Sequence, residues 1–418
     1  MDKLIITGQK RLHGEVAISG AKNAAVAIIL AAIMANDVCI IENLPHIEDV
    51  ECLIETITNM GVKCDYIDKY TLRIDSRNIT NSSATYEAVK KMRASYYLLG
   101  ALLGRFKKAE VSLPGGCDFG SRPIDQHIKG FEALGATVSI EQGMIIANAD
   151  KLVGATVYLD AASVGATINI MFAAVFAKGT TIIDNAAKEP HVVDTANFLN
   201  SMGAIVKGAG TDVIRITGVE KLHGSTYMII PDQIEAGTYM IAAAITGGDV
   251  RVNNIIPKHM ESLSAKLAEM GVEIVEGDDF INVKANIPLK SVNVKTMVYP
   301  GFPTDLQPQM VALLSTCKGV GLVTENIFDN RFQYVNELNR LGALIVVEDR
   351  LAVIEGVTEL SGAEVMATDL RAGAALIIAG LIAKGKVTIG NVKYIDRGYG
   401  YIEEKLRALG ADIERIKG

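Results

Sequence analysis

From Met260 to Met270 the apolar residues fall at i, i+3, i+7 and i+10, the stripe of an amphipathic helix, and Gly271 follows at once. A glycine there suits a left-handed helix end, and the alternating residues behind it predict a strand. The same phrase, Leu or Met, then Gly, then Ala or Val, stands at glycines 61, 135, 203, 271, 342 and 410, at steps of 74, 68, 68, 71 and 68. A fixed period of this size means one supersecondary unit used repeatedly.

Each unit also carries an earlier helix, small-residue and apolar all round, predicted over 23–35, 94–103, 166–176, 236–245, 309–315 and 372–383. A helix without a polar face is a buried one. Strand-like runs such as Val38–Glu42, Thr180–Asp184 and Lys386–Gly390 follow them. The unit therefore reads strand, buried helix, strands, amphipathic helix, strand. This is an α/β fold, with helices inside and sheets outside. A longer echo, Ile6-Thr-Gly-Gln-Lys-Arg-Leu-His-Gly14 against Ile216-Thr-Gly-Val-Glu-Lys-Leu-His-Gly224, has an offset of 210 residues, three periods. It predicts two pseudo-three-fold domains, 22–229 and 1–21 plus 230–418, with chain crossings near residues 21 and 230. His13 and His223 belong to this echo and are read as turn structure.

Composition adds limits. A formal charge of -7 argues against broad nucleic-acid binding, though not against a local basic cleft for a small anion. The apolar run around 24–34 is too short to span a bilayer, and a strand-like segment ahead of it argues against a signal peptide. There is no CxxC and no His/Cys ligand spacing, which predicts reduced thiols, a cytoplasmic protein and no bound metal. No glycine-rich dinucleotide or P-loop fingerprint is present, and no cofactor is expected.

Two patterns carry candidate chemistry. Cys117 lies in the Gly/Pro-rich stretch Leu113-Pro-Gly-Gly-Cys-Asp-Phe-Gly-Ser-Arg-Pro-Ile-Asp125, five residues before Arg122. An arginine and a helix N-terminus lower a thiol pKa, whereas Asp118 next to Cys117 opposes them. The other four cysteines sit in apolar or patterned segments. The second pattern is charge at the mouths of the buried helices: Lys22-Asn23, Arg93, Val164-Gly165, Glu235, Asp305 and Leu370-Arg371, about one period apart. Basic residues against a helix dipole point to a strongly anionic ligand. Asp305 reads equally as an N-cap or as a general base. Glu235 is left unassigned between cap and other roles. Arg331 and Arg397 each follow an acid near the start of an amphipathic helix, and either pair with it or join the same anionic pocket.

Ten ordered motifs then come together, among them Ser19-Gly-Ala-Lys-Asn-Ala24, Pro114-Gly-Gly-Cys117, Arg122-Pro-Ile-Asp125, Ser163-Val-Gly-Ala-Thr167, Phe302-Pro-Thr-Asp305, Glu325-Asn-Ile-Phe328, Thr368-Asp-Leu-Arg-Ala372 and Asp396-Arg-Gly-Tyr399. Over the whole length they closely resemble the enolpyruvyl transferases that use UDP-N-acetylglucosamine. The resemblance implies two inside-out α/β domains of three repeats each, with the active site in the cleft between them. It also implies transfer of the enolpyruvyl group of phosphoenolpyruvate to the 3'-hydroxyl of UDP-N-acetylglucosamine, the first committed step of peptidoglycan synthesis. Residue by residue, it places Lys22, Asn23, Arg122 and Arg397 on phosphoenolpyruvate. Arg93, Arg122, Pro123, Ile124, Asp125, Ser163, Val164, Gly165, Asp305 and Ile327 fall at the sugar nucleotide, and Arg331, Asp369 and Arg371 line the cleft. Cys117 matches the acid that protonates the methylene carbon and the thiol alkylated by fosfomycin; Asp305 matches the base for the 3'-hydroxyl. Two alternatives stand beside this: a transferase using shikimate 3-phosphate, and a non-catalytic sugar-nucleotide-binding relative.

Overall fold

A computed structural model describes residues 2–79, 83–84, 96–113 and 124–418. Its strands form six four-stranded sheets of one design. In the sheet built from Thr156–Tyr158, Thr180–Asp184, Val213–Thr217 and Ile205–Lys207, the first two strands run parallel and the other pairings are antiparallel. A parallel pair needs a crossover, and the buried helix Val164–Ala174 supplies it. The hairpin follows the amphipathic helix Pro190–Ser201. The unit is thus strand, buried helix, parallel strand, amphipathic helix, hairpin, one strand richer after the second helix than its pattern predicts.

The apolar helices are Lys22–Ala32, Tyr97–Phe106, Val164–Ala174, Gln233–Ile245, Gln307–Leu314 and Leu370–Gly380. Where they start within the described residues, four begin one or two residues before the predicted position and Gln233–Ile245 three, because a polar residue or glycine in the first turn, such as Gly165, Glu235 or Arg371, interrupts the apolar run there. Nine of the eleven residues of Lys22–Ala32 are buried, so the helices form the cores and the sheets cover them. Outward-facing strand positions stay exposed, as at Val346 in Leu344–Glu348.

Two backbone devices recur with the period. The six phrase glycines all have positive φ, between +92° at Gly135 and +99° at Gly203, which is what lets each helix turn into its strand. In four units an asparagine after the parallel strand also adopts positive φ: Asn43, Asn185, Asn254 and Asn391. Each donates its side-chain N–H to the carbonyl that ends the neighbouring edge strand, at Ile229 (2.9 Å), Leu159 (2.8 Å), Ile18 (2.6 Å) and Ala367 (3.2 Å) respectively. Asparagine is the non-glycine residue that tolerates this conformation best, and here its amide also ties two strands together.

The chain divides into two compact units. One takes the described residues up to Ser19 and from Pro231 onward; the other takes those between Gly20 and Ile230. Each is closed by strands distant in sequence. Lys3–Thr7 lies between Lys386–Gly390 and Asp412–Ile416, and His13–Ala17 pairs with Asp249–Asn253. In the other unit Thr226–Met228 pairs with Val38–Glu42. Within its own unit each crossing is held by a buried carboxylate. Glu235 accepts the Ser19 N–H (2.8 Å) and the Lys405 ammonium (2.6 Å); Asp194 accepts the Tyr227 hydroxyl (2.6 Å) and the Ile230 N–H (3.3 Å). Glu235 is therefore not a cap; Asp232 is, accepting from Ile234 N (2.7 Å) and Glu235 N (3.1 Å). Of the echo histidines, read from sequence as turn structure, His13 instead opens the strand His13–Ala17 and His223 lies just ahead of Thr226–Met228; a side chain at Gly410 would lie 3.1 Å from the His13 ring, and one at Gly203 3.2 Å from the His223 ring. Among the described residues no helix is long and apolar enough to cross a membrane.

Two glycines separate strain from crowding. At Gly271 (φ +98°) a side chain would meet nothing, whereas at Gly100 it would come to 2.3 Å from the Asn169 carbonyl oxygen of the neighbouring buried helix. Gly271→Ala is expected to lower stability by about 1–2 kcal/mol through backbone conformation alone. Gly100→Ala should cost about 1–3 kcal/mol by overpacking, with both read from denaturant midpoints. Burial pushes the Asp194 carboxyl up to about 6. The fold therefore favours its protonated form, and the associated stability is lost as pH rises from about 4 through about 6. Asp194→Asn removes that slope, so wild type should lose on the order of 2–3 kcal/mol relative to the variant over this window.

Candidate active site

The mouths of the buried helices are where polar residues gather. Lys22 is the first residue of its helix, whose preceding Ala21 offers no side-chain cap. A cation there opposes the dipole, and Asp49 meets it at 2.8 Å from the first turn of Glu48–Asn59. Asn23, beside it, is exposed.

Ile124 precedes the helix Asp125–Ala133, and Ser163 caps Val164–Ala174 by accepting from Ala166 N (3.3 Å). His127 joins these two helices. Asn169 Oδ1 accepts the Gly100 N–H (2.8 Å), so its Nδ2 donates to His127 Nδ1 (2.9 Å) and the ring proton belongs on Nε2. Burial lowers the His127 pKa to about 4, which keeps the ring neutral. A side chain at Gly165 would sit 3.1 Å from that ring, so glycine lets the two helix starts close up. Asp125, Ser163, Val164 and Gly165 are thereby brought to one place.

The other unit assembles Asp305, Arg331 and Arg371. Asp305 lies in the short 3-10 turn Thr304–Leu306 and accepts from Arg331 (3.2 Å) through Oδ1 and from Arg371 (3.0 Å) through Oδ2. Both arginines are buried, 3% and 4% exposed. Burial alone would depress the Arg371 pKa, and the charge of Asp305, with Tyr399 and Asp232, more than reverses that. Behind Arg371 its guanidinium lies 5.5 Å from the centre of the Tyr399 ring, whose hydroxyl bonds Thr238 (2.8 Å) and accepts from Gln309 (3.2 Å). Asp369 caps the helix that carries Arg371, accepting from Arg371 N (2.8 Å) and Ala372 N (3.2 Å). Ile327 donates its N–H to Glu325 (2.8 Å).

The acids ahead of Arg331 and Arg397, one of the two partners the sequence leaves open for each, are taken by other arginines. Arg331 opens the 3-10 turn Arg331–Tyr334 and reaches Asp305, while the nearby Asp329 takes Arg350. Arg397 follows the helix Lys393–Asp396 instead of opening one, and Asp396 is held by Arg415. Arg93, Cys117, Arg122 and Pro123 lie outside the described residues. Sequence reasoning missed Asp49, which reads as one of three dipole-favouring acids in its first turn, and missed the Thr238–Gln309–Tyr399 group, dispersed over 161 residues. A cavity of about 640 Å³ lies elsewhere, lined by residues such as Arg105, Lys107, Leu152 and Phe176 and by none of the candidates. There Arg105 and Lys107 donate to the carbonyls of Ile33 and Gly104, which end buried helices. Among the described residues no cluster of potential metal ligands occurs.

The four described cysteines are free. Burial pushes the thiols of Cys39 and Cys64 up to about 11 and that of Cys317 to about 12. At pH 8 fewer than about one in a hundred of each is thiolate, the reactive form. Native protein treated with iodoacetamide at pH 8 should therefore carry no label on Cys39, Cys64 or Cys317 by peptide mass mapping. Label should appear on them only after denaturation.

The comparisons with known proteins bear on the same arrangement. The profile of the EPSP synthase family (3-phosphoshikimate 1-carboxyvinyltransferase) matches residues 6–406. A UDP-N-acetylglucosamine 1-carboxyvinyltransferase of Clostridium botulinum is 60% identical over 417 residues, covering 100% of both chains. A second, from Clostridium acetobutylicum, is 59% identical over 418 residues with the same coverage. Among solved structures, the enolpyruvyl transferase NikO from Streptomyces tendae superposes with a TM-score of 0.90 at 27% identity, covering 100% of this chain and 99% of that one. EPSP synthase from Acinetobacter baumannii, at 20% identity and a TM-score of 0.77 over the full length of both, shares the fold. The chain belongs to the enolpyruvyl transferase family of EPSP synthase, in the group of the UDP-N-acetylglucosamine 1-carboxyvinyltransferases.

Proposed function

We propose that this protein transfers the enolpyruvyl group of phosphoenolpyruvate to the 3'-hydroxyl of UDP-N-acetylglucosamine and releases phosphate, the committing step of peptidoglycan synthesis. The structural observation that carries the reading is Asp305, fixed between two buried arginines at the mouth of a buried helix. The full-length identity of 54–60% to relatives bearing that name favours this acceptor over shikimate 3-phosphate.

The chemistry assigns each group a task. Two anionic substrates need cations, and Lys22, Arg122 and Arg397, with Asn23, hold phosphoenolpyruvate. Arg93, Arg122 to Asp125, Ser163 to Gly165, Asp305 and Ile327 hold the sugar nucleotide, and Arg331, Asp369 and Arg371 line the cleft between the domains 22–229 and 1–21 plus 230–418. Cys117 gives a proton to the methylene carbon, which leaves positive charge on C2. Asp305 takes the proton of the 3'-hydroxyl as its oxygen bonds to C2. The tetrahedral ketal then returns a methyl proton to the Cys117 thiolate and expels phosphate, which takes the proton held by Asp305, restoring the double bond and both groups. Water would trap the cationic centre, so the cleft has to close around it. No cofactor or metal enters this scheme. Both substrates are small soluble anions, and we place the enzyme in the cytoplasm.

Phosphate release from phosphoenolpyruvate, assayed separately with UDP-N-acetylglucosamine and with shikimate 3-phosphate, is expected with the first acceptor alone. Release only with the second would reassign the enzyme, and release with neither would leave a sugar-nucleotide-binding protein. Asp305→Asn should lower kcat by about a hundredfold or more. Cys117→Ser should abolish inactivation by fosfomycin while UDP-N-acetylglucosamine binding changes by less than about twofold.

A further inference from the structure

The repeat is broken informatively in the fifth unit. In four units the residue after the parallel strand is the left-handed asparagine that ties down the neighbouring edge strand. In the fifth, the strand Val320–Thr324 is followed by Glu325. The tie survives one residue later, where Asn326 donates to the carbonyl of Thr296 (2.9 Å). Thr296 is the equivalent edge residue, since its N–H bonds Thr324 O (2.9 Å) as that of Leu159 bonds Asp184 O (3.0 Å). Glu325 is thus not needed for the duty its position performs elsewhere.

It has other partners. The side chain is fully buried and accepts four bonds. Thr296 Oγ1 (2.9 Å), Ile327 N (2.8 Å) and Phe328 N (3.2 Å) reach Oε1, and Thr304 Oγ1 (3.0 Å) reaches Oε2. Thr304 opens the turn that carries Asp305, and its carbonyl accepts from Arg331 (3.3 Å), the same arginine that holds Asp305. One carboxylate therefore fixes the Asp305 turn and the Ile327 backbone against each other. A buried carboxylate is costly unless its oxygens are filled, and here three of the four donors come from the two segments assigned to the acceptor.

We propose that Glu325 is the positioning residue for the proton acceptor: it sets the Asp305 turn and the Ile327 segment in register, so that the 3'-hydroxyl meets the carboxylate in a reactive geometry. This rests on Asp305 being the base. A shift of about 1 Å in such a group is enough to cost roughly a hundredfold in rate.

Two variants test it. Glu325→Gln keeps the volume but turns one acceptor into a donor, so at least one of the four donors loses its partner. Thr304→Val keeps the shape and cuts only the link from Glu325 to the Asp305 turn. Per folded molecule, kcat should fall about ten- to hundredfold in the first and about fivefold in the second, with the KM for phosphoenolpyruvate within about twofold. In an Asp305→Asn background either change should lower kcat by less than about twofold more, because both act through a carboxylate already removed. A merely structural Glu325 would lower the melting temperature and leave kcat per folded molecule at the wild-type value; that result overturns the proposal. Should Glu325→Gln not fold, wild-type kcat in Thr304→Val overturns it equally. If Asp305→Asn itself turns over at the wild-type rate, the base assignment fails and takes the positioning role with it. An inactive Asp305→Asn beside fully active Glu325 and Thr304 variants removes the positioning role alone.

Discussion

A helix that is apolar on every side can be satisfied only by complete burial, and once buried it can carry polar groups only at its ends. The architecture follows from that constraint. Six such helices need surrounding sheets to cover them, and each sheet has one face for the helices and one for water. The helix mouths are then places in the cores where charge can be tolerated, provided a partner or ligand meets it. Lys22 with Asp49, Arg371 with Asp305, and Glu235 with Lys405 all sit at such mouths.

Much of this was legible in the sequence because the period repeats the same physical demands. A glycine needed at positive φ recurs at 61, 135, 203, 271, 342 and 410, and the structure uses every one as the pattern predicts. An all-round apolar helix is also hard to misread. Helix starts were less legible: Asp232, Ser163 and Asp369 cap their helices without any apolar signal of their own.

Pairing was the least legible level. Arg331 and Arg397 follow acids in sequence, yet Asp329 and Asp396 are taken by Arg350 and Arg415. Sequence neighbours on an irregular segment point apart, whereas residues some 26 or 66 positions away meet at Asp305. Glu325 shows the same limit. Its motif was visible, but its exemption from the asparagine duty could be seen only by superposing the units. The four described cysteines behave as their apolar surroundings indicate, with burial holding three of the thiols protonated.

The way the strands close each unit sets an order of assembly. The second unit is complete once Thr226–Met228 has paired with Val38–Glu42, so it can finish folding while the rest of the chain is still being made. The first unit cannot. Its earliest strand, Lys3–Thr7, has to stay unpaired until Lys386–Gly390 and Asp412–Ile416 exist, with nearly the whole protein intervening. That is a loop closure of the longest kind, slow by its entropy, with an apolar strand exposed meanwhile. The half of the molecule that holds Asp305 is thus the half that forms last, and an interrupted chain yields a folded second unit without Asp305 and the arginines that hold it.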